Sequence, residues 1–341
     1  MDGGSEISLT TGIEKKLTET SHLIDEYMEK ILKDRRPEVL YRSARHLMEA
    51  GGKRLRPFLL LKACSLVGGE PKDVVPLAAA IEILHNFTLI HDDIMDNDDL
   101  RRNVPTVHRL WGIPIAIASG DLLFAKVYEA VVNWAGGGKV PCERVMAIID
   151  RFNEAAISIC EGQVLDVSFV SLENVTEKDY FEMIGGKTAA LLKASAEIGA
   201  LAGGGNNREV LLLGEFAYNA GMAFQLVDDY LGATADEKVL GKPVGSDLRE
   251  GKKTLIIVHA LTHASPEEKR RILGVLRNPK ISQEDLGEVN KILSSLGSLS
   301  YTMEQAKKYV EKAKISLEGL PECEAKADLQ DLVEFFINRK Y

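Results

Sequence analysis

Asp92 and Asp96 stand four residues apart at the end of an apolar run, so a helix there puts both carboxylates on one face. Like charges at that spacing repel, and the negative end of the helix dipole disfavours them further. Burial would sharpen the conflict, because ionised carboxylates lose solvation. Asp98 and Asp99 add more negative charge in the next turn. A solvated acidic helix end is one reading. The other is a hard divalent cation: Mg²⁺ takes oxygen ligands, keeps waters, and is held by one or two carboxylates plus substrate phosphates. A second copy of the pattern favours the cation. Phe224-Gln-Leu-Val-Asp228-Asp229 echoes the run from Phe87 to Asp93, again an apolar helix ending in paired carboxylates.

Cations alternate with these acidic ends. Gly51-Gly52-Lys53-Arg54-Leu55-Arg56-Pro57 is a glycine-led turn before an apolar helix, and a helix N-terminus carrying Lys and Arg suits a phosphate. Arg101 and Arg102 follow the first acidic cluster directly. Gly185-Gly186-Lys187-Thr188 opens or kinks a helix with a cation and a hydroxyl, and Lys242, Arg249, Lys252 and Lys253 follow the second acidic end. Carboxylate pairs interleaved with cations fit metal-bridged diphosphates.

Helices must position these groups. Ile24, Tyr27, Met28 and Ile31 form one stripe of an amphipathic helix over 14–32. Residues 76–95 are apolar on nearly all sides, as a central helix is, and 124–134, 145–164, 178–201 and 210–231 read alike. More polar helices cover 302–317 and 323–338, and Thr176 with Asp179 predicts a helix N-cap. Residues 136–138, 203–207 and 294–300 read as connections, and no run shows strand alternation. The expectation is an all-α, single-domain bundle of ten or more helices, large enough to bury a cavity, spanning 13–341 behind a frayed polar tail at 1–12.

The chain has 341 residues, 45% hydrophobic and 27% charged, with a formal net charge of −9. That excludes disordered and fibrous classes and argues against a general nucleic-acid binder. Cys64, Cys142, Cys160 and Cys323 lie far apart and read as buried small hydrophobes in a reducing compartment. The N-terminus has no apolar core of a secretory signal, and no uncharged apolar run reaches the roughly 18 residues of a membrane span. A cytoplasmic protein is expected.

Taken in order, these motifs resemble the trans-isoprenyl diphosphate synthases (polyprenyl synthetases), from about residue 20 to the end. The resemblance rests on GGKRLRP at 51–57, LIHDDIMDNDDLRRNVPTVH at 89–108, GGKTA at 185–189, FQLVDDYLG at 224–232 and GKPVGSDLREGKKT at 241–254. It implies an all-α bundle around a deep central cavity, a homodimer, and Mg²⁺-dependent, head-to-tail condensation of isopentenyl diphosphate with an allylic diphosphate. Asp92, Asp96 and Asp228 would bind the metal, about three Mg²⁺ ions with substrate present or Mn²⁺ in their place. Asp229 and Asp247 would support them. Lys53, Arg56, His85 and Arg102 match the isopentenyl diphosphate site. Arg101, Lys187, Thr188, Gln225, Lys242 and Lys252 match the groups that hold the allylic diphosphate. One position departs: the second motif commonly ends in Asp, and here it is Gly232, with Asp236 one turn later.

The chemistry this implies is ionisation of the allylic carbon–oxygen bond inside a cavity that excludes water. Residues 233–253 are glycine-punctuated and charged, as a closing segment would be. The growing tail should run back along the helix that carries Asp92. Phe87 lies about 7.5 Å along that axis at 1.5 Å per residue, with Thr88 beside it and Leu84 one turn deeper. In the family resembled, an aromatic there goes with short products, which implies geranylgeranyl diphosphate (C20) ahead of the farnesyl and geranylfarnesyl products. A class I terpene cyclase and a non-catalytic synthase subunit are the rival readings.

Overall fold

The computed structural model describes residues 3–137, 140–234, 246–276, 278 and 281–338, with only the backbone of 3–11 and 246. The helices are α1 (Gly3–Ile31), α2 (Glu38–Glu49), α3 (Leu55–Leu66), α4 (Val75–Met95), α5 (Val107–Trp111), α6 (Ile113–Gly136), α7 (Cys142–Phe169) and α8 (Glu177–Ile184). After a π-helical turn at Gly185–Ala189 come α9 (Ala190–Ala202), α10 (Asn207–Thr234), α11 (Ser246–Glu250), α12 (Leu255–His263), α13 (Pro266–Val275), α14 (Gln283–Ser295), α15 (Ser298–Glu318) and α16 (Glu324–Asn338). The fold is a single all-α domain, as the periodicity predicts. The backbone is helical from Gly3, so the stretch expected as a tail is continuous with the helix whose side chains enter the core at Ile13.

Two helices organise the bundle. From Val75 to Leu84 every α4 residue but one, Pro76, is buried. Each large aliphatic side chain there contributes about 1.5–3 kcal/mol by leaving water. α4 packs chiefly on α6, and also on α1, α3, α7 and α9; α10 packs on α15, α9 and the π-turn. Helices α3 and α9 stand between these two cores, giving Leu60 and Leu191 to one and Phe58 and Leu192 to the other. Two stretches, Pro71–Met95 and Asn207–Thr234, are long and apolar enough to cross a membrane by length and composition alone. Their most apolar windows are 67% and 61% buried inside the bundle, so they serve as its core helices.

Local chemistry sets the boundaries. Thr176 and Asp179 form the expected capping box at α8, and Ser265 with Glu268 forms another at α13. The run read as one helix over 178–201 is broken by the π-turn. Gly162 and Gly186 let it press on α7: a Cβ at Gly162 would lie 2.3 Å from Lys187 N, and one at Gly186 2.6 Å from Ser158 O. A small hairpin was not foreseen. Leu100 and Arg101 pair antiparallel with Pro105 and Val104, around Arg102 and Asn103 at φ 54° and 63°. Two positive φ values in a two-residue loop make a type I′ turn. Strands of two residues are too short to show alternation in a sequence. The expectation for the cysteines also needs correcting: Cys64 is buried, but Cys142, Cys160 and Cys323 are exposed, all four as free thiols.

Candidate active site

The first acidic end forms where α4 runs out. Asp96 caps the helix, its N–H donating to Asp92 O at 2.8 Å. Asp93 turns the other way and is 1% exposed, with Oδ1 2.6 Å from Arg101 Nη2; the same nitrogen lies 3.0 Å from Asp98 Oδ2. Arg101 is thus fixed by two carboxylates while its charge acts on Asp92. Burial lifts the pKa of Asp92 to about 6; Asp96 adds to the rise, while Lys187 and Arg101 oppose it. Lys252 stands in as a cation, its Nζ 3.6 Å from Asp96 Oδ2 and 2.7 Å from Glu250 Oε2.

The second acidic end belongs to α10. Asp229 is buried and turned inward, accepting from Tyr180 Oη at 2.6 Å and from Gln225 Nε2 at 2.8 Å. Burial raises its pKa to about 7, with Asp247 and Asp228 adding to the rise and the two donors opposing it. Thr188 Oγ1 donates to Gln225 Oε1 at 2.8 Å, and Lys187 Nζ pairs with Asp166 Oδ2 at 2.6 Å. The two ends lie within electrostatic reach of the same two lysines. Lys187, beside the Asp229 network, acts on Asp92; Lys252, against Asp96, lies in the field of Asp247 and Asp166. Gly232 finds an explanation here. A Cβ at that position would lie 3.1 Å from Asp247 Oδ2, so the glycine leaves room for a carboxylate from α11.

A cation cluster lies within the field of Asp228. Arg54 is 2% exposed and pairs with Glu82 at 2.9 Å and Asp25 at 2.8 Å. Arg102, at the tip of the hairpin, donates to Leu47 O at 2.6 Å and lies 3.9 Å from Glu82. Arg56 has a buried Nε with no partner, and enclosure pushes its pKa down to about 10, with Arg102 contributing and Glu82 and Asp228 opposing. His85 is held well below the usual imidazole range by enclosure and by Arg56 and Arg102, so its ring is neutral. A Cβ at Gly52 would meet Arg54 Nη1 at 2.8 Å and Arg102 Cζ at 3.1 Å, so a side chain there would displace the guanidinium groups as well as strain the backbone at φ 150°. Lys53 is exposed at the edge, its Nζ 5.2 Å from the centre of the Phe335 ring. Below the first acidic end, Phe87 packs its ring 5.3 Å from Phe124 and 4.8 Å from His91. Leu84 is buried one turn deeper, and Thr88 Oγ1 donates to His85 O at 2.8 Å.

Lys242 and Asp236 lie outside the described residues. Of the other expected residues, Arg101, Lys187 and Lys252 interact with the first acidic end, Thr188 and Gln225 with the second, and Arg56, His85 and Arg102 with one another. Sequence reasoning missed Asp166, Tyr180, Glu82 and Phe124. Asp166 had a readable signal, since Gly162-Gln163-Val-Leu-Asp166 puts a glycine, an amide and a carboxylate one turn apart on an otherwise apolar stretch. The donor set fits a hard divalent cation: oxygen ligands only, a carboxyl kept uncomfortable by its neighbour, and a lysine ammonium already drawn to it. Among the described residues, no three His, Cys, Asp or Glu side chains converge on one point, so substrate oxygens and water would complete the coordination.

Residues 37–294 match the sequence profile of the polyprenyl synthetases. The chain belongs to the polyprenyl synthetase family. It is 42% identical over 325 residues to a short chain isoprenyl diphosphate synthase of Methanothermobacter thermautotrophicus, covering 95% of this chain and 98% of that one. Identity to a geranylgeranyl diphosphate synthase of Sulfolobus acidocaldarius is 44% over 306 residues, 88% of this chain and 91% of the relative. The crystal structure of geranylgeranyl pyrophosphate synthetase from Pyrococcus horikoshii superposes with a TM-score of 0.90 at 42% identity, covering 98% and 99% of the two chains. As a polyprenyl synthetase the chain is an enzyme of the trans-isoprenyl diphosphate synthase type, with the all-α fold of that family.

Proposed function

We propose that the enzyme condenses isopentenyl diphosphate with dimethylallyl, geranyl or farnesyl diphosphate, releases pyrophosphate, and makes geranylgeranyl diphosphate as its main product. One observation carries this: two acidic helix ends lie within reach of the same two lysines, and a separate cluster of arginines lies in the field of Asp228. A cyclase needs one diphosphate site, and the separate arginine cluster supports a second here. Asp92, Asp96 and Asp228 would hold Mg²⁺, which when bound neutralises charge developing on the leaving diphosphate. Arg101, Lys187, Lys242 and Lys252 grip that diphosphate, with Thr188 and Gln225 beside it. Arg56, Arg102, Lys53 and His85 anchor isopentenyl diphosphate so that its double bond faces the ionising carbon. The apolar wall of α4 keeps water from the cation, and the departing pyrophosphate takes the proton.

The C20 assignment is supported by the Phe87–Phe124 contact and by the name of the Sulfolobus relative. Product chromatography after incubation with Mg²⁺, isopentenyl diphosphate and farnesyl diphosphate tests both parts. Elongation to C20 supports the reading; a cyclised hydrocarbon or no turnover sinks it. Phe87→Ala should shift the main product by one isoprene unit or more, and unchanged length would remove Phe87 as the floor.

Exposed apolar side chains on α6 (Ile113, Ile117, Val132) and α7 (Met146, Ile157, Val164) support a homodimer through that face. Four free thiols suit a cytoplasmic location.

A further inference from the structure

Tyr180 of α8 belongs to neither diphosphate cluster, yet it lies fully buried beneath the second acidic end. Its hydroxyl fills one oxygen of Asp229 at 2.6 Å, and the Gln225 amide nitrogen fills the other at 2.8 Å. The donors set the direction of the whole chain. An amide that gives its nitrogen to a carboxylate must turn its oxygen away, and that oxygen is where Thr188 Oγ1 donates at 2.8 Å. Three elements, α8, α10 and the π-turn, are joined by this one line of hydrogen bonds. Asp166 and Asp247 also act on the phenol, which burial and these carboxylates keep protonated and therefore a donor.

We infer that Tyr180 is a positioning residue: by clamping Asp229 it fixes the Gln225 amide and the Thr188 rotamer, and so the spacing of Asp228 and Thr188. The inference rests on the function proposed above. Tyr180→Phe keeps the ring and deletes only the hydroxyl. Calorimetric titration of the full chain with Mn²⁺, in the presence of inorganic pyrophosphate, reads the metal end without turnover. The apparent Mn²⁺ affinity should fall roughly 10-fold, as for other supporting groups behind metal ligands. Half-saturating Mg²⁺ in turnover should rise to match, with the KM for isopentenyl diphosphate unchanged. Wild-type Mn²⁺ affinity in Tyr180→Phe overturns the assignment, even where the melting temperature falls. Adding Tyr180→Phe to Asp229→Asn should change little further, and additive losses overturn it too. Where Tyr180→Phe does not fold, Asp229→Asn removes the charge that the hydroxyl clamps; its Mn²⁺ affinity should fall by a similar factor, and wild-type affinity overturns the assignment. Wild-type protein that binds Mn²⁺ with pyrophosphate yet does not elongate refutes the proposed function and leaves the clamp to be judged by the titration.

Discussion

Asp92 is caught between a neighbour of like charge and a wall that excludes water, and its carboxyl consequently titrates near 6. That sets a pH dependence. A protonated carboxyl cannot hold a metal, so at limiting Mg²⁺ turnover should fall as pH drops through about 6. Higher Mg²⁺ competes with the proton and should move that limb to lower pH. Steady-state rates across pH at two Mg²⁺ concentrations check both statements, and a limb that ignores Mg²⁺ would dissociate Asp92 from metal binding. Asp92→Asn should lower kcat by roughly 100-fold, which is about 2.7 kcal/mol of barrier. At this scale the sequence was informative where residue types repeat, as in the paired aspartates. It was silent on Glu82 and Tyr180, whose work depends on partners 28 and 49 residues away.

The helical elements were legible wherever apolar spacing ran for several turns, as in α4 and α10. The capping box at Thr176 and Asp179 was readable from two residues. The π-turn was legible only as an opening or kink at Gly185–Thr188, and the hairpin was not, because each is defined by a backbone approach rather than a pattern. Gly162 illustrates the point: what matters is that Lys187 N would lie 2.3 Å from any Cβ placed there. Gly162→Ala must push the π-turn off α7 and with it the Lys187–Asp166 pair. Overpacking of this kind costs about 1–3 kcal/mol. The KM for the allylic substrate should rise more than that for isopentenyl diphosphate, since Arg56 and Arg102 stand on other elements. Equal changes in both constants would contradict the division of labour drawn here.

At the scale of the whole molecule, two carboxylates raised by burial, Asp92 and Asp229, end two separate core helices. Burying such charge opposes folding until ligands arrive. Magnesium with inorganic pyrophosphate should therefore raise the melting temperature, and a chelator should reverse the gain. The sign with pH follows from Asp92. Its folded pKa exceeds the ordinary 3.8, so the metal-free fold holds an extra proton between about 4 and 6 and loses stability as pH rises through that window. The thermal shift produced by metal should be larger at about pH 7.5 than at about pH 5. Differential scanning calorimetry settles this, and a shift independent of pH would argue that binding occurs away from the carboxylates.

The hairpin after α4 places consecutive arginines on two different tenants: Arg101 reaches down to Asp93, and Arg102 reaches across to Leu47 O. Arg101 ends a strand and Arg102 opens the left-handed two-residue turn, so the backbone reverses its sense between them. A single inserted or deleted amino acid at this corner would therefore misdirect both guanidinium groups together. Neither pocket can be re-engineered there by a change in loop length without disturbing the other, which leaves substitution in place as the one route to retuning them separately at this corner.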